Sequence, residues 1–434
     1  MRYTLFGESH GPAVGVLAEG FAPGIEVNES LLHEMMTRRQ GGKVLTTQRR
    51  EKDEVKILSG VFEGKTTGDP ICLVIENRDV RSEDYAALRH LPRPSHGDYV
   101  AHVKSRGYND PCGGGHSSAR LTAPLTALGA IALSALEEQG VGIVAHLLSC
   151  GGAKDTSFLD KFPTDNEIMT LKQKEFPTRE EKAGLAMAEV MAQIRAEGDS
   201  LGAQVECAVL HLPVGLGGRE DNLQSRLSAE LFTIPGVKAV SFGAGEDFAV
   251  LRGSEANDPF CVENGQIRTV SNHSGGGNAG SSNGMPLIFT VTFRPTPSIA
   301  KEQQTVNVET MQTETLAIRG RHDPCIALRA VSVVEAAAAL ALYDLLPMGE
   351  TELTNYRKQM DAADAALLRA FARRMELSRA IGAYKKERGL AVLDAAREQT
   401  VIESRKRMVP EEWAEAAGEL TETLLRLSRE EQEV

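Results

Sequence analysis

From Thr351 to Val409 the sequence contains no proline, and its apolar residues recur at alternating three- and four-residue steps, a pattern that only an α-helix gathers onto one side. Met360, Ala363, Leu367, Ala370, Leu377, Ile381 and Tyr384 form that seam. The spacing predicts a first helix over 353–387, about 50 Å long at the α-helical rise per residue. The short remainder of the tail cannot cover a helix of that length, so the seam predicts an intertwined dimer of helical modules. A second helix should open at Asp394, after the turn Gly389-Leu-Ala-Val-Leu393. A last one carries Ser428 and Gln432, four apart and so on one face.

Upstream of Leu346 the texture is different. Short β-like runs, such as Val55-Lys-Ile-Leu58 and Leu287 to Phe293, alternate with helical segments and many glycine turns, which predicts an α+β domain rich in loops. The change falls at Pro347-Met-Gly-Glu350. The expected organisation is therefore a domain over 1–346, a linker at 347–352 and a helical domain over 353–434, well within what 434 residues allow. A formal charge of -12 disfavours nucleic acid or an anionic membrane as the main partner, so an anionic substrate would need local clusters of Arg and Lys. The first residues lack a basic segment followed by an apolar run, which predicts a cytoplasmic protein. The longest apolar stretch, Ala123 to Leu136, falls short of the roughly 18 residues of a membrane span. Cys72, Cys112, Cys150, Cys207, Cys261 and Cys325 are scattered, with no C-x-x-C pair, and read as reduced and mostly buried thiols rather than metal ligands.

Three clusters in the first domain bear chemistry. Gly7-Glu8-Ser9-His10-Gly11 sets a carboxylate, a hydroxyl and an imidazole between glycines that let backbone approach a ligand. Arg93-Pro-Ser-His96-Gly-Asp98-Tyr99 is followed by Gly113-Gly-Gly-His116-Ser117-Ser118-Ala-Arg120, a triple glycine with two hydroxyls and a cation, suited to phosphate. Neither the Walker spacing nor G-x-G-x-x-G is present. Gly320-Arg321-His322-Asp323-Pro-Cys325 again joins a cation, an imidazole and a carboxylate, ahead of a helical run from Ala330 to Leu346. Arg38, Arg39, Arg49 and Arg50 stand close enough together to bind several anionic groups. Each cluster also has a plainer reading: a hydrogen-bonded structural histidine, a glycine turn capping a helix, or solvated surface arginines.

These stretches, taken with Thr46 to Ile71 and Gly320 to Ala336, resemble chorismate synthase in order across residues 1–346. The resemblance implies a β-α-β sandwich domain that eliminates phosphate from 5-enolpyruvylshikimate 3-phosphate in the anti-1,4 sense, using reduced FMN with NADPH as a candidate reductant. By position, His10 would protonate the leaving phosphate and His96 the flavin, while Asp323 would assist proton removal by way of the flavin. His116, Ser117, Ser118, Ala279, Arg294, Pro295, Thr296, Pro297, Ser298 and Arg321 match flavin-contacting positions. Ser9, Arg39, Arg49 and Arg120 match positions that hold substrate. The chain departs from the family pattern in placing His116 where an arginine is usual and Leu121 where a glutamate is usual. The loop Asn272 to Asn283 lacks a second Gly-Gly, and the basic loop near Lys43 is one residue short. Neutral His116 would hold a phosphate less strongly than arginine does.

In the tail, Arg374 interrupts the apolar seam, and a buried arginine without an anion is costly. Lys385 lies eleven residues on, within about 20° of the same helical face. Two cations on one line suggest an anion site, against the plain alternative that both side chains snorkel to water. The set Leu353, Arg357, Met360-Asp361, Asp364, Leu367-Leu368, Arg374, Ile381-Gly382, Lys385, Gly389, Val392, Asp394 and Arg397-Glu398 resembles the all-helical chorismate mutases. That resemblance implies carboxylate binding by Arg374 and, from a partner chain, by Arg357, with Arg397 placing Lys385 or a substrate carboxylate. Lys385 and Gln432 would contact the ether oxygen and Glu398 the substrate hydroxyl, with Asp394 and Ser428 also at the substrate. A pericyclic rearrangement needs no nucleophile, only a folded dianion and fixed cations beside the charge that develops. The chain ends two residues past Gln432, where fraying is expected to lower activity. The combined expectation is a homo-oligomeric, tetrameric bifunctional enzyme with no metal. A synthase with a dimerising or chorismate-sensing tail, and a flavin oxidoreductase for another substrate, are the competing readings.

Overall fold

A computed structural model describes residues 1–42, 45–46, 53–78, 89–263, 265–318, 323–346 and 352–433. Within the last range, the side chains of 352–359, 361–362 and 433 fall outside the description. The chain forms two compact units, Met1–Gly349 and Glu350–Val434.

The first unit is built from two antiparallel sheets with helices between them. One sheet runs in the order Arg2–Gly7, Ala13–Glu19, Ile71–Glu76, Lys56–Ser59, and the other in the order Val237–Phe242, Leu287–Phe293, Ala203–Leu210, Gly142–Cys150, Ala153–Lys154. Strand Leu287–Phe293 has the bounds its β-branched run suggested, and the run at Val55 becomes the strand Lys56–Ser59. The apolar stretch near Ala123 becomes the helix Thr122–Glu138, buried without a break from Thr122 to Leu136. It packs on strands Ala13–Glu19 and Ile71–Glu76, while the helix Ala327–Tyr343 packs on Gly142–Cys150 and Ala203–Leu210. A helix apolar all round belongs inside protein when every face has a partner. The window Ala119–Glu138 is long and apolar enough to cross a membrane, yet 94% of it is buried in the interior.

The two core helices touch through small residues. A Cβ on Gly129 would lie 2.4 Å from the Ala336 Cβ, so the crossing depends on a bare backbone at that point. Buried polar groups tie the layers together. Arg38 gives a two-pronged ion pair to Glu335 at 2.6 and 2.8 Å, and Glu335 also accepts from the Ala145 amide at 2.9 Å. Arg38 is thereby engaged inside the fold. His146, fully buried, donates to Asp155 at 2.9 Å and to Glu206 at 3.0 Å from its two ring nitrogens. All six cysteines are free thiols: Cys150, Cys207 and Cys325 are buried, and Cys72, Cys112 and Cys261 half-buried.

The second unit is three-helical, as the periodicity implied. Helix Glu352–Glu387 is followed by Ala395–Lys406, capped by the Asp394 side chain, and then by Ala414–Glu433. The first helix splits its faces. Taking Arg374 as the reference at 100° per residue, Lys385, Ser378 and Gly382 lie about 20° to 80° to one side, and Ile381, Leu377 and Tyr384 about 20° to 80° to the other. Ser378 and Gly382 are buried, whereas Met360, Leu367, Leu377, Ile381 and Tyr384 are 48–64% exposed.

Candidate active sites

In the first unit the turn after strand Arg2–Gly7 carries Ser9 and His10. Gly7 has φ +93°, and a Cβ there would strike the Ala13 carbonyl at 2.3 Å, so the turn admits only glycine. Asn77 fastens the turn by donating to the carbonyls of Glu8 and Gly11 at 2.9 and 2.8 Å. Ser9 Oγ lies 3.1 Å from His10 Nδ1. Gly113 comes directly against this pair: its φ is +67°, and a Cβ on it would be 2.6 Å from the His10 ring and 2.7 Å from Ser9 Oγ. His116 Nδ1 is 3.3 Å from the Gly7 carbonyl. The first and second motifs, a hundred residues apart in sequence, thus share one surface. Within the glycine loop the amides of Gly115, Ser117 and Ser118 close internal turns, to Cys112, Gly114 and Gly115. Ser118 Oγ accepts from the Arg120 amide. Burial, then the charge of Asp110, pushes the Glu8 carboxyl up toward its neutral form beside His10.

Arg93 organises the other side of Gly113. Its Nε and Nη2 each donate to Asp98 at 2.7 Å, Nη1 donates to Ser298 Oγ at 3.2 Å, and Nη2 also donates to the Gly113 carbonyl. His96 Nδ1 is 2.6 Å from Asp98 Oδ1. Burial alone would raise the Asp98 carboxyl, but hydrogen bonds from Arg93 and His96 hold it well below the usual carboxylate range. An ionised Asp98 favours the His96 tautomer with its proton on Nδ1. Arg294 Nη1 donates to the Ser95 carbonyl at 2.5 Å, bringing the Arg294–Ser298 segment to this motif. Thr296 Oγ1 donates to the Asp323 carbonyl at 3.3 Å. The Pro297 carbonyl accepts from Gln303, and the Pro295 carbonyl from Arg294 itself.

Asp323 is held by Arg329 at 2.9 Å, and Arg329 also donates to the Arg39 carbonyl. Arg39 is itself buried, donating to Asp53 at 2.9 Å, Thr122 at 3.0 Å and the Ala119 carbonyl at 3.0 Å. Arg120 meets the other oxygen of Asp53 and donates to Asn77 at 2.9 Å. Two buried arginines thus share one aspartate. Ala279 heads the exposed turn between strands Gly277–Asn278 and Ser281–Ser282, whose described contacts include Pro213, Leu216 and Asn222. Arg49, Arg50, Arg321 and His322, with the basic loop at Lys43, lie outside the described residues. Asn77, Asp53 and Arg329 join the site without any local sequence signal. Only Arg93 and Asp98 carried a signal, by standing beside His96.

In the second unit, Arg374 Nη1 donates to the Leu424 carbonyl at 2.7 Å and to Ser428 Oγ. Burial, and then the nearby charge of Arg405, lowers the Arg374 pKa. Lys385 Nζ reaches the Val392 carbonyl at 2.6 Å. Asp394 Oδ1 accepts from the Arg397 amide, so Asp394 caps the second helix. Arg429, which no sequence motif singles out, pairs with Glu398. The last helix meets the first at Gly382, where a Cβ would be 2.6 Å from the Gln432 carbonyl. Gln432 Oε1 is buried and has no hydrogen-bond partner among the described residues. Arg374, Ser428 and Gln432 therefore lie along the seam between the first and last helices, with Glu398 joined to the last helix through Arg429 and Lys385 to the turn at Val392. Arg357 lies on the first helix, its side chain outside the description.

The sequence model of the chorismate synthase family matches residues 1–346, and that of chorismate mutase type II matches residues 356–433. The chorismate synthase of Thermococcus kodakarensis is 44% identical over 347 residues, spanning 80% of this chain and 96% of that protein. A chorismate synthase of Dehalococcoides mccartyi is 44% identical over 347 residues, spanning 79% and 94%. Among solved structures, a crystal structure of chorismate synthase aligns with a TM-score of 0.63 at 25% identity, over 83% of this chain and 96% of its own.

Proposed function

Since the chain belongs to the chorismate synthase family and carries a chorismate mutase type II domain, we propose that it catalyses two consecutive steps. The first unit eliminates phosphate from 5-enolpyruvylshikimate 3-phosphate in the anti-1,4 sense to give chorismate. The second rearranges chorismate to prephenate. The observation that carries the first step is Gly113, whose missing side chain lets His10 and the Arg93–His96–Asp98 group flank one strip of backbone. His10, steadied by Ser9, donates a proton to the departing phosphate, and the cations Arg39 and Arg120 supply positive potential near it. His96, with Nδ1 held by Asp98, exchanges its proton at Nε2. Asp323, fixed by Arg329, accepts a proton.

The donors around this site suit reduced FMN: hydroxyls of Ser117, Ser118, Thr296 and Ser298, with His116 and Arg294, match an anionic phosphate and a polar ring. When bound, the flavin supplies transient electron density that makes a redox-neutral elimination feasible. NADPH as its reductant and a cytoplasmic setting belong to the same proposal.

For the second step, Arg374 and Lys385 bind and fold the dianion, with Arg397 in support, while Glu398 accepts from its hydroxyl and Asp394 holds the helix start that presents both. The buried amide oxygen of Gln432, without a hydrogen-bond partner among the described residues, supports a polar contact with the substrate, and an amide flip turns a donor to the ether oxygen. The exposed apolar stripe Met360, Leu367, Leu377, Ile381 and Tyr384 supports a dimer of these modules, with Arg357 contributed across it, inside a tetramer of the whole chain.

Anaerobic incubation with the phosphate substrate and chemically reduced FMN, followed by chromatography, tests both steps. Chorismate and then prephenate should form. Chorismate accumulating with prephenate only at the spontaneous rate removes the second step.

A further inference from the structure

We infer that Arg429 is a positioning residue of the helical site, holding the Glu398 carboxylate in place and offsetting its charge so that a dianionic, hydroxyl-bearing substrate can dock beside it; this rests on the mutase reading of that groove. Arg429 follows Ser428 and precedes Gln432 by three positions, so the last helix delivers all three to one end of the site. Its Nη1 donates to Glu398 Oε1 at 2.7 Å and lies closer still to Oε2. Glu398 comes from the second helix, Ala395–Lys406, and its side chain is 22% exposed, against 33% for Arg429. The pair is therefore only partly screened by water.

A carboxylate in a groove that binds a dianion needs a reason to be there and a neighbour to neutralise it. Its oxygens offer about four lone-pair directions, and one N–H group fills at most two. Glu398 thus remains an acceptor for a substrate hydroxyl while Arg429 balances its charge. Among the cations with described contacts, Arg374 is tied to Leu424 and Ser428, Lys385 to Val392, and Arg405 acts on Arg374. Without Arg429, Glu398 would stand as an added negative charge against both substrate carboxylates.

The test is a double-mutant cycle in the full-length chain, read by chorismate turnover and by calorimetric binding of prephenate. Arg429→Gln should raise KM for chorismate and weaken prephenate binding roughly tenfold, with kcat changed less than about twofold, as expected when uniform binding is lost. Arg429→Lys should recover most of the loss. In the Glu398→Gln background, Arg429→Gln should change either quantity less than about twofold. Equal losses in both backgrounds overturn the inference, because Arg429 would then touch substrate directly or simply hold the helix. If prephenate binding shows the coupling but turnover is absent, the mutase reading fails and the Arg429 assignment stands. If turnover is present and the effects are additive, the reverse holds. A chain that neither turns over chorismate nor binds prephenate overturns both.

Discussion

Arg93 reaches Asp98, Ser298, the Gly113 carbonyl and the neighbourhood of His96 with one planar guanidinium. Lysine offers a single charged point, so it cannot reproduce that fork. Arg93→Lys and Arg93→Ala should both reduce chorismate formation at least about a hundredfold, since misplacing a positioned acid or base by an ångström has that effect. Arg93→Lys restoring near-full turnover would refute the geometric argument. His146 presents a different test. Burial works against its charge, but the flanking Asp155 and Glu206 hydrogen bonds and charges prevail and raise its pKa. A raised pKa in the folded state stabilises fully below the unfolded value of about 6.5 and is lost as pH climbs through the folded value. Urea unfolding should therefore show stability declining above about pH 6.5 in a component that His146→Gln removes. That variant should cost about 3 kcal/mol at pH 6, because two buried carboxylates lose their cation. At this scale the sequence named His10, His96 and Asp323. It did not assign the parts played by Arg93, Asp53 or Arg329, because the fold decides which side chains meet: Arg93 also reaches Ser298 and Arg329 the Arg39 carbonyl, each more than a hundred residues away.

Helices were legible because burial imposes a period on them. The seam at Met360 to Tyr384 and the cap at Asp394 follow from spacing alone, and the structure has helices at Glu352–Glu387 and Ala395–Lys406. Which half of the seam packs inside one chain was not legible, since Arg374, Ile381 and Lys385 differ by only about 20° on the wheel. Two glycines turn this packing into predictions. In an exposed helix Gly→Ala gains about 1 kcal/mol. At Gly129 the new Cβ would sit 2.4 Å from Ala336, so Gly129→Ala should instead lower stability by about 1–2 kcal/mol in thermal unfolding. At Gly382 the obstacle is the Gln432 backbone, so Gly382→Ala should push the last turn away and weaken prephenate formation roughly tenfold while chorismate formation persists.

For the whole molecule, two compact units imply two separable activities. His10→Ala should abolish chorismate formation, a loss of at least about a hundredfold for a general acid, and leave the rearrangement of added chorismate unchanged. Loss of both in a folded variant contradicts independent sites. The family and the presence of a second, helical unit were settled by the sequence itself, because motif order and hydrophobic period are properties of a chain read from end to end. The α+β class followed from the same alternation of short runs and glycine turns. Only the tertiary structure decided which charges remain available. Arg38 is taken up by Glu335, Arg39 and Arg120 are gathered around Asp53, and Glu398 acquires Arg429. The physical reason is that charge and hydrogen bonding act through space over a few ångströms, while the sequence records only neighbours along the backbone.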